Sequence, residues 1–253
     1  TFYAYPRADY AQRWLEELTS APPSFAFTAK IHQDFTHRRP TAEWPSKAAN
    51  YRAGLEPLRS TGRLRCLLAQ FPVSFTRTAD NRRHLAQLLK AFAKDEVVLE
   101  LRHRSWFEPE VLERFRERGI PVAWIDLPPS KDHLPEEFEP TAPLGYLRLH
   151  GRNQEHWFKK GAGRDDRYNY LYDRNEVERL VTRTRRLAGA TDETLLVTNN
   201  HFAGQAVANA IELRALLEGE SLPAPQKLVE LYPQLAPHTH PLPGEAPGLF
   251  DAS

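Results

Sequence analysis

The feature that most constrains the fold is an alternation. From Pro6 onward, short runs rich in apolar and β-branched residues alternate with amphipathic stretches of helical period. Such repetition predicts parallel strands joined by helical crossovers, because a parallel pair cannot be closed by a tight turn. Helices are predicted over 9–19, where Tyr10, Trp14, Leu15 and Leu18 share a face, and over 47–59. Thr78 is placed to cap a third helix that turns Leu85, Leu88, Leu89 and Phe92 inward. Pro109 suits the first position of a fourth, which Gly119 stops. Asp173 and Glu176 have the spacing of a capping box for a fifth ending near Gly189, and a last core helix runs through Val207, Ile211 and Leu217. Between them, strands are predicted at 25–31, 64–70, 97–101, 121–125, 144–150 and 194–198.

At 253 residues, this repetition fits a single α/β barrel, with an open doubly wound sheet as the alternative. No strand is followed by a glycine-rich dinucleotide or phosphate loop, which removes the usual reason for the open sheet. The expected architecture is a TIM (β/α) barrel forming one domain over 1–232. A proline-rich tail, expected to be mobile, follows at 233–253.

Composition narrows the function classes. Lys and Arg number 34 against 33 Asp and Glu, so bulk electrostatics would not coat nucleic acid or membrane, and any anion site must be local. The lone Cys66 lies in an apolar run and cannot form an intrachain disulfide, as suits a reducing compartment, and cytoplasm is the expected location. No run approaches the roughly 18 apolar residues of a membrane helix. The sequence starts at Thr1 and contains no methionine, so amino-terminal sequence is expected to be missing.

In a barrel the ligand site gathers at the carboxyl ends of the strands. Those ends read Lys30, Gln70, Glu100, Asp126, His150 and Asn199, with Arg102, His103, Asn200 and His201 just beyond. Each has a bland reading. Lys30 fits a solvated strand end as well as an amine nucleophile, Gln70 fits a backbone partner at the rim, and Asp126 fits a turn residue. Glu100 and Arg102 fit a structural pair as well as a carboxylate held by a guanidinium. Arg148 and His150, two apart on one strand face, are the hardest to dismiss, because burying two such groups demands a partner or a function.

Glu100, Asp126, His150 and His201 are metal-binding types but lack a diagnostic spacing, so no cofactor is assigned and a metal ion stays a lesser alternative. Nucleophilic catalysis through serine or cysteine has no supporting motif. The loop 151–172 carries Arg152, Lys159, Lys160, Arg164 and Arg167 among aromatics. It reads as a solvated loop, an anion-gripping lid, or a surface that stacks on nucleic acid.

The motifs taken together resemble the YecE-like family, a domain of unknown function. They are TFY at Thr1–Tyr3, FTAK at Phe27–Lys30, Thr36–His37, AQFP at Ala69–Pro72 and LELRHRSWF at Leu99–Phe107. The Asp126 strand end, YLRLHGRN at Tyr146–Asn153, the Tyr168–Tyr172 stretch and TNNH at Thr198–His201 complete the set. The resemblance implies a TIM barrel with a pocket at the strand ends, and a chain that begins after the first strand, first helix and most of the second strand. It also draws Tyr3, His37, Trp106 and Tyr170 into the pocket. It brings no reaction with it.

The resulting expectation is an enzyme, hydrolase or lyase, acting on a small anionic or sugar-phosphate-like ligand. Lys30, Arg102 and Arg148 would hold the anion, Glu100 or Asp126 would act as general base, and His150 or His103 would transfer a proton. The alternative is a nucleic-acid-binding protein or metal-dependent phosphodiesterase using the same barrel mouth. Gly248–Leu249–Phe250 is a further candidate, as a docking motif for a partner.

Overall fold

Three apolar runs of the first half form one parallel sheet. Strands β1 (Phe27–Lys30), β2 (Leu64–Gln70) and β3 (Val97–Glu100) pair in that order, with Lys30 beside Leu68 and Gln70 beside Glu100. The computed structural model describes residues 1–18, 21–128, 134–157 and 159–242. Within it the chain divides into two units between Ala123 and Trp124.

In the first unit the helices are α1 (Ala8–Glu17), α2 (Gln33–Thr36), α3 (Trp44–Ser60), α4 (Ala79–Ala91) and α5 (Pro109–Arg116), with a 3₁₀ turn at Arg104–Trp106. Local chemistry sets their starts: Thr78 accepts from the Asn81 amide at 3.2 Å, and Pro109 occupies the first turn of α5. The core is aromatic. Phe35 packs edge-on against Phe92 at 5.0 Å and Trp44 at 5.2 Å, and Tyr51 meets Phe92 at 5.8 Å. Cys66 is buried and forms no disulfide among the described residues. The face of α1 is less covered than its pattern predicts, for Tyr10 and Trp14 are exposed and only Ala11 is buried.

The second unit repeats the scheme. Strands β4 (Trp124–Asp126), β5 (Leu144–Leu149) and β6 (Glu193–Thr198) pair in parallel, and Asp126, Leu149 and Thr198 align at their ends. The helices are α6 (Gln154–Trp157), α7 (Arg164–Tyr168), α8 (Arg174–Ala188), α9 (Gln205–Glu218) and α10 (Gln226–Leu231). The capping box opens α8, where the Asp173 carboxylate accepts from the Glu176 amide at 2.9 Å and Glu176 accepts from Asp173 at 3.0 Å. Trp124, Leu147, Leu149, Val177, Leu180 and Leu213 form its core. Val207 is an exception on α9, standing 53% exposed.

The expected barrel is not formed among the described residues. Among the described residues the strands make separate parallel sheets of three, three and two, the last being β7 (Leu222–Ala224) with β8 (Thr239–Pro241). Beyond β3 there is only an isolated bridge, Leu99 to Val122. Alternation specifies parallel strands and crossovers, which open and closed sheets share; closure requires a last strand paired to the first in a fixed stagger, and periodicity says nothing of that. Residues 233–242 carry a 3₁₀ turn and β8, because Leu235 and Tyr232 bury against Ala208. The Gly248–Leu249–Phe250 motif lies outside the described residues. No helix among the described residues is long and apolar enough to cross a membrane.

Candidate functional site

The six polar strand ends fall into two sets of three, one per sheet. In the first unit the pairing of β1, β2 and β3 puts Lys30, Gln70 and Glu100 on neighbouring strand ends. Lys30 Nζ donates to Gln70 Oε1 at 2.6 Å and lies 3.9 Å from the centre of the Phe2 ring, a cation–π contact. Glu100 is fully buried, and its Oε1 receives Nε of Arg102 at 2.7 Å and a terminal guanidinium nitrogen at 2.6 Å. His37 sits in the field of both cations. Burial first, then the charges of Lys30 and Arg102, hold its imidazole below the usual histidine range, while Nδ1 lies 2.8 Å from Thr36 Oγ1.

Three further expected residues of this unit have other contacts. His103 caps the 3₁₀ turn, accepting from the Ser105 amide at 3.2 Å and sharing a hydrogen bond with Ser105 Oγ at 2.8 Å. Trp106 is a core residue: its indole N–H donates to the Phe75 carbonyl at 2.6 Å and its ring stacks on Phe75 at 5.4 Å. Tyr3 is 77% exposed and touches Phe2 edge-on at 4.8 Å.

In the second unit Asp126 is the centre of a saturated network. Arg152 Nε and a terminal nitrogen reach its two oxygens at 3.0 and 2.6 Å, Tyr172 donates its hydroxyl at 2.7 Å, and Arg183 approaches at 3.3 Å. Asp126 is 3% exposed. Burial, then the Asp126 charge and hydrogen bond, push the Tyr172 phenol well above its ordinary value. Arg152 also reaches Glu176 at 3.4 Å, so the loop's first arginine is committed to carboxylates of its own unit.

Tyr170 is likewise tied inward, donating to Glu176 at 2.8 Å. Its Cβ packs against Gly151, where an added methyl would stand 2.7 Å away and φ is +84°, so only glycine fits this first residue of the loop. Asn200 is fully buried, donating to the Tyr170 carbonyl at 2.8 Å and to Asn209 at 2.9 Å.

The remaining set is Arg148, His150 and Asn199. Arg148 donates to Asn199 Oδ1 at 2.9 Å, and Asn199 Nδ2 lies 3.1 Å from His150 Nδ1. Two rings that the strand-end reading left out close on His150: Trp157 at 5.8 Å and Tyr168 at 6.0 Å. Tyr168 in turn meets His201 at 5.0 Å. The signal for these rings was present as the aromatic content of 151–172, but the spacing did not say which tyrosine faces the histidine. Among the described residues no group of three or more His, Cys, Asp or Glu side chains is arranged to hold a metal ion.

Comparison with known proteins agrees with the motif pattern. A curated relative, UPF0759 protein YunF of Bacillus subtilis, is 28% identical over 233 residues, spanning 87% of this chain and 82% of its own length. A solved DUF72 family protein of Thermotoga maritima is 31% identical, with a TM-score of 0.73 over 86% of this chain and 82% of its own. One from Enterococcus faecalis, at 23% identity, is alike in fold, with a TM-score of 0.76 over 86% and 82% of the two chains. The family described as "Protein of unknown function DUF72" is matched over residues 1–230, and the chain belongs to that family.

Proposed function

We propose that this protein is an enzyme of the hydrolase or lyase kind that takes a small anionic ligand, of phosphate or carboxylate character, at the strand ends of the first unit. One observation carries the reading: two cations, Lys30 at the end of β1 and Arg102 just past β3, are held on neighbouring strand ends, Lys30 by Gln70 at 2.6 Å and Arg102 by Glu100 at 2.7 Å, with His37 in their field. Two cations whose charge disfavours a further charge on the histidine combine anion binding with proton acceptance. Lys30 and Arg102 hold the anion. Glu100, clamped by Arg102, orients the guanidinium, and His37, whose Nδ1 is occupied by Thr36, handles the proton at Nε2. A sugar phosphate fits this arrangement because it pairs a dianion with hydroxyls that Gln70 can bind.

The test is thermal unfolding against a panel of inorganic phosphate, sugar phosphates and short carboxylic acids. A ligand that binds only the folded protein raises its stability by about 2.7 kcal/mol at a hundredfold excess over Kd. The expected result is a rise in Tm with at least one anion, lost in Lys30→Gln. No shift with any of them, in a folded wild type, overturns the reading. Tight binding of an oligonucleotide that weakens steeply with salt would favour the nucleic-acid alternative.

A further inference from the structure

The contacts of Arg148, Asn199 and His150 determine where a proton sits. A guanidinium has donors only, so the Asn199 atom 2.9 Å from Arg148 must be the amide oxygen. That fixes the amide: its nitrogen, also a donor, is the atom 3.1 Å from His150 Nδ1. A ring nitrogen that accepts a hydrogen bond carries no proton, and the proton of the neutral ring is then on Nε2. The ring is also held sterically. It is fully buried, and Trp157 and Tyr168 flank it; turning it over would put Cδ2 in place of Nδ1 opposite the Asn199 amide and lose the hydrogen bond.

We propose that Arg148 is a positioning residue which, through the Asn199 amide, locks His150 in its Nε2–H tautomer. The lock itself is independent of the enzyme reading above. It states only that the ring carries its proton on Nε2 and a lone pair on Nδ1. It gives Arg148 and Asn199 a reason to lie at adjacent strand ends that does not involve binding an anion.

The experiment is long-range proton–nitrogen NMR on the full chain labelled with ¹⁵N-histidine, the His150 signals being identified by their loss in His150→Gln. The expected wild-type pattern at neutral pH is a bare Nδ1 and a protonated Nε2. A protonated Nδ1, or the fast tautomer mixture of a free histidine, overturns the proposal. In Asn199→Asp a carboxylate accepts from Arg148 and also from the ring, so Nδ1 is expected to gain a proton; a folded variant with an unchanged ring pattern likewise overturns it. Should Asn199→Asp fail to fold, the wild-type spectrum decides alone. If the anion panel gives no shift while the ring pattern is as expected, the enzyme reading falls and the lock stands.

Discussion

Arg152 grips Asp126 from the loop that follows β5, with Nε 3.0 Å from one carboxylate oxygen and a terminal nitrogen 2.6 Å from the other. Since Tyr172 and Arg183 engage the same carboxylate, Asp126 acts as the electrostatic anchor of the second unit. Removing one member of a buried ion pair strands the others' charge, which costs about 3–5 kcal/mol. Asp126→Ala is therefore expected to lower unfolding stability by that amount, measured by urea denaturation. A variant within 1 kcal/mol of wild type would count against the anchor.

The field at His37 is testable directly. Burial, Lys30 and Arg102 all lower its pKa, so its ring should titrate below the ordinary 6.5. Replacing Lys30 by Gln removes one cation, and the midpoint should move up toward the ordinary value while remaining below it. Linkage fixes the sign for stability: a depressed folded-state pKa contributes stability above pH 6.5 that is lost as pH falls through the folded value. His84, lowered by burial while its Nε2 holds the Phe35 carbonyl at 2.8 Å, acts in the same direction. Residue-resolved NMR titration separates the two.

Glu212 on α9 has the opposite dependence. Burial raises its carboxyl pKa above 4.5, against the opposing effects of Asn209 and Arg174, and its Oε2 has no hydrogen-bond partner among the described residues. The folded state holds this proton to higher pH than the unfolded chain does. Its stabilising contribution is thus full below pH 4.5 and lost as pH rises through the folded value. Glu212→Gln should be more stable than wild type at pH 7, with the difference shrinking toward pH 4; equal unfolding midpoints at pH 7 would refute this.

Gly54 on α3 faces the backbone of Pro6, where an added Cβ would stand 2.0 Å from the carbonyl oxygen. No rotamer relieves a clash with backbone, so the segment before α1 must shift. Gly54→Ala is expected to cost about 1–3 kcal/mol despite alanine's better helix propensity. Calorimetry would reveal the loss as a lower Tm, and an unchanged or raised Tm would mean that the contact is slack.

Local order was readable wherever one short stretch carries its own cause. Thr78, Pro109 and the Asp173–Glu176 pair start helices through groups within a single turn, so the residues alone were sufficient. The motifs from Thr1–Tyr3 to Thr198–His201 likewise pointed to the family that the match over 1–230 establishes. The strand ends themselves were located within a residue or so, as at Glu100 and Asp126.

What each end does was settled by partners far away in the chain. Nothing near Asp126 announces that Arg152, Tyr172 and Arg183 will occupy its oxygens, and nothing near Trp106 announces Phe75. Sheet closure was beyond the sequence for the same reason. Periodicity acts over a few residues and fixes which face of an element is apolar, whereas strand order and side-chain pairing are set by contacts between segments tens of residues apart. The alternating pattern thus determined parallel α/β units and their capped helices. Tertiary structure alone decided that the strands form separate sheets, that Asp126 is held by three partners, and that Asn199 links Arg148 to His150.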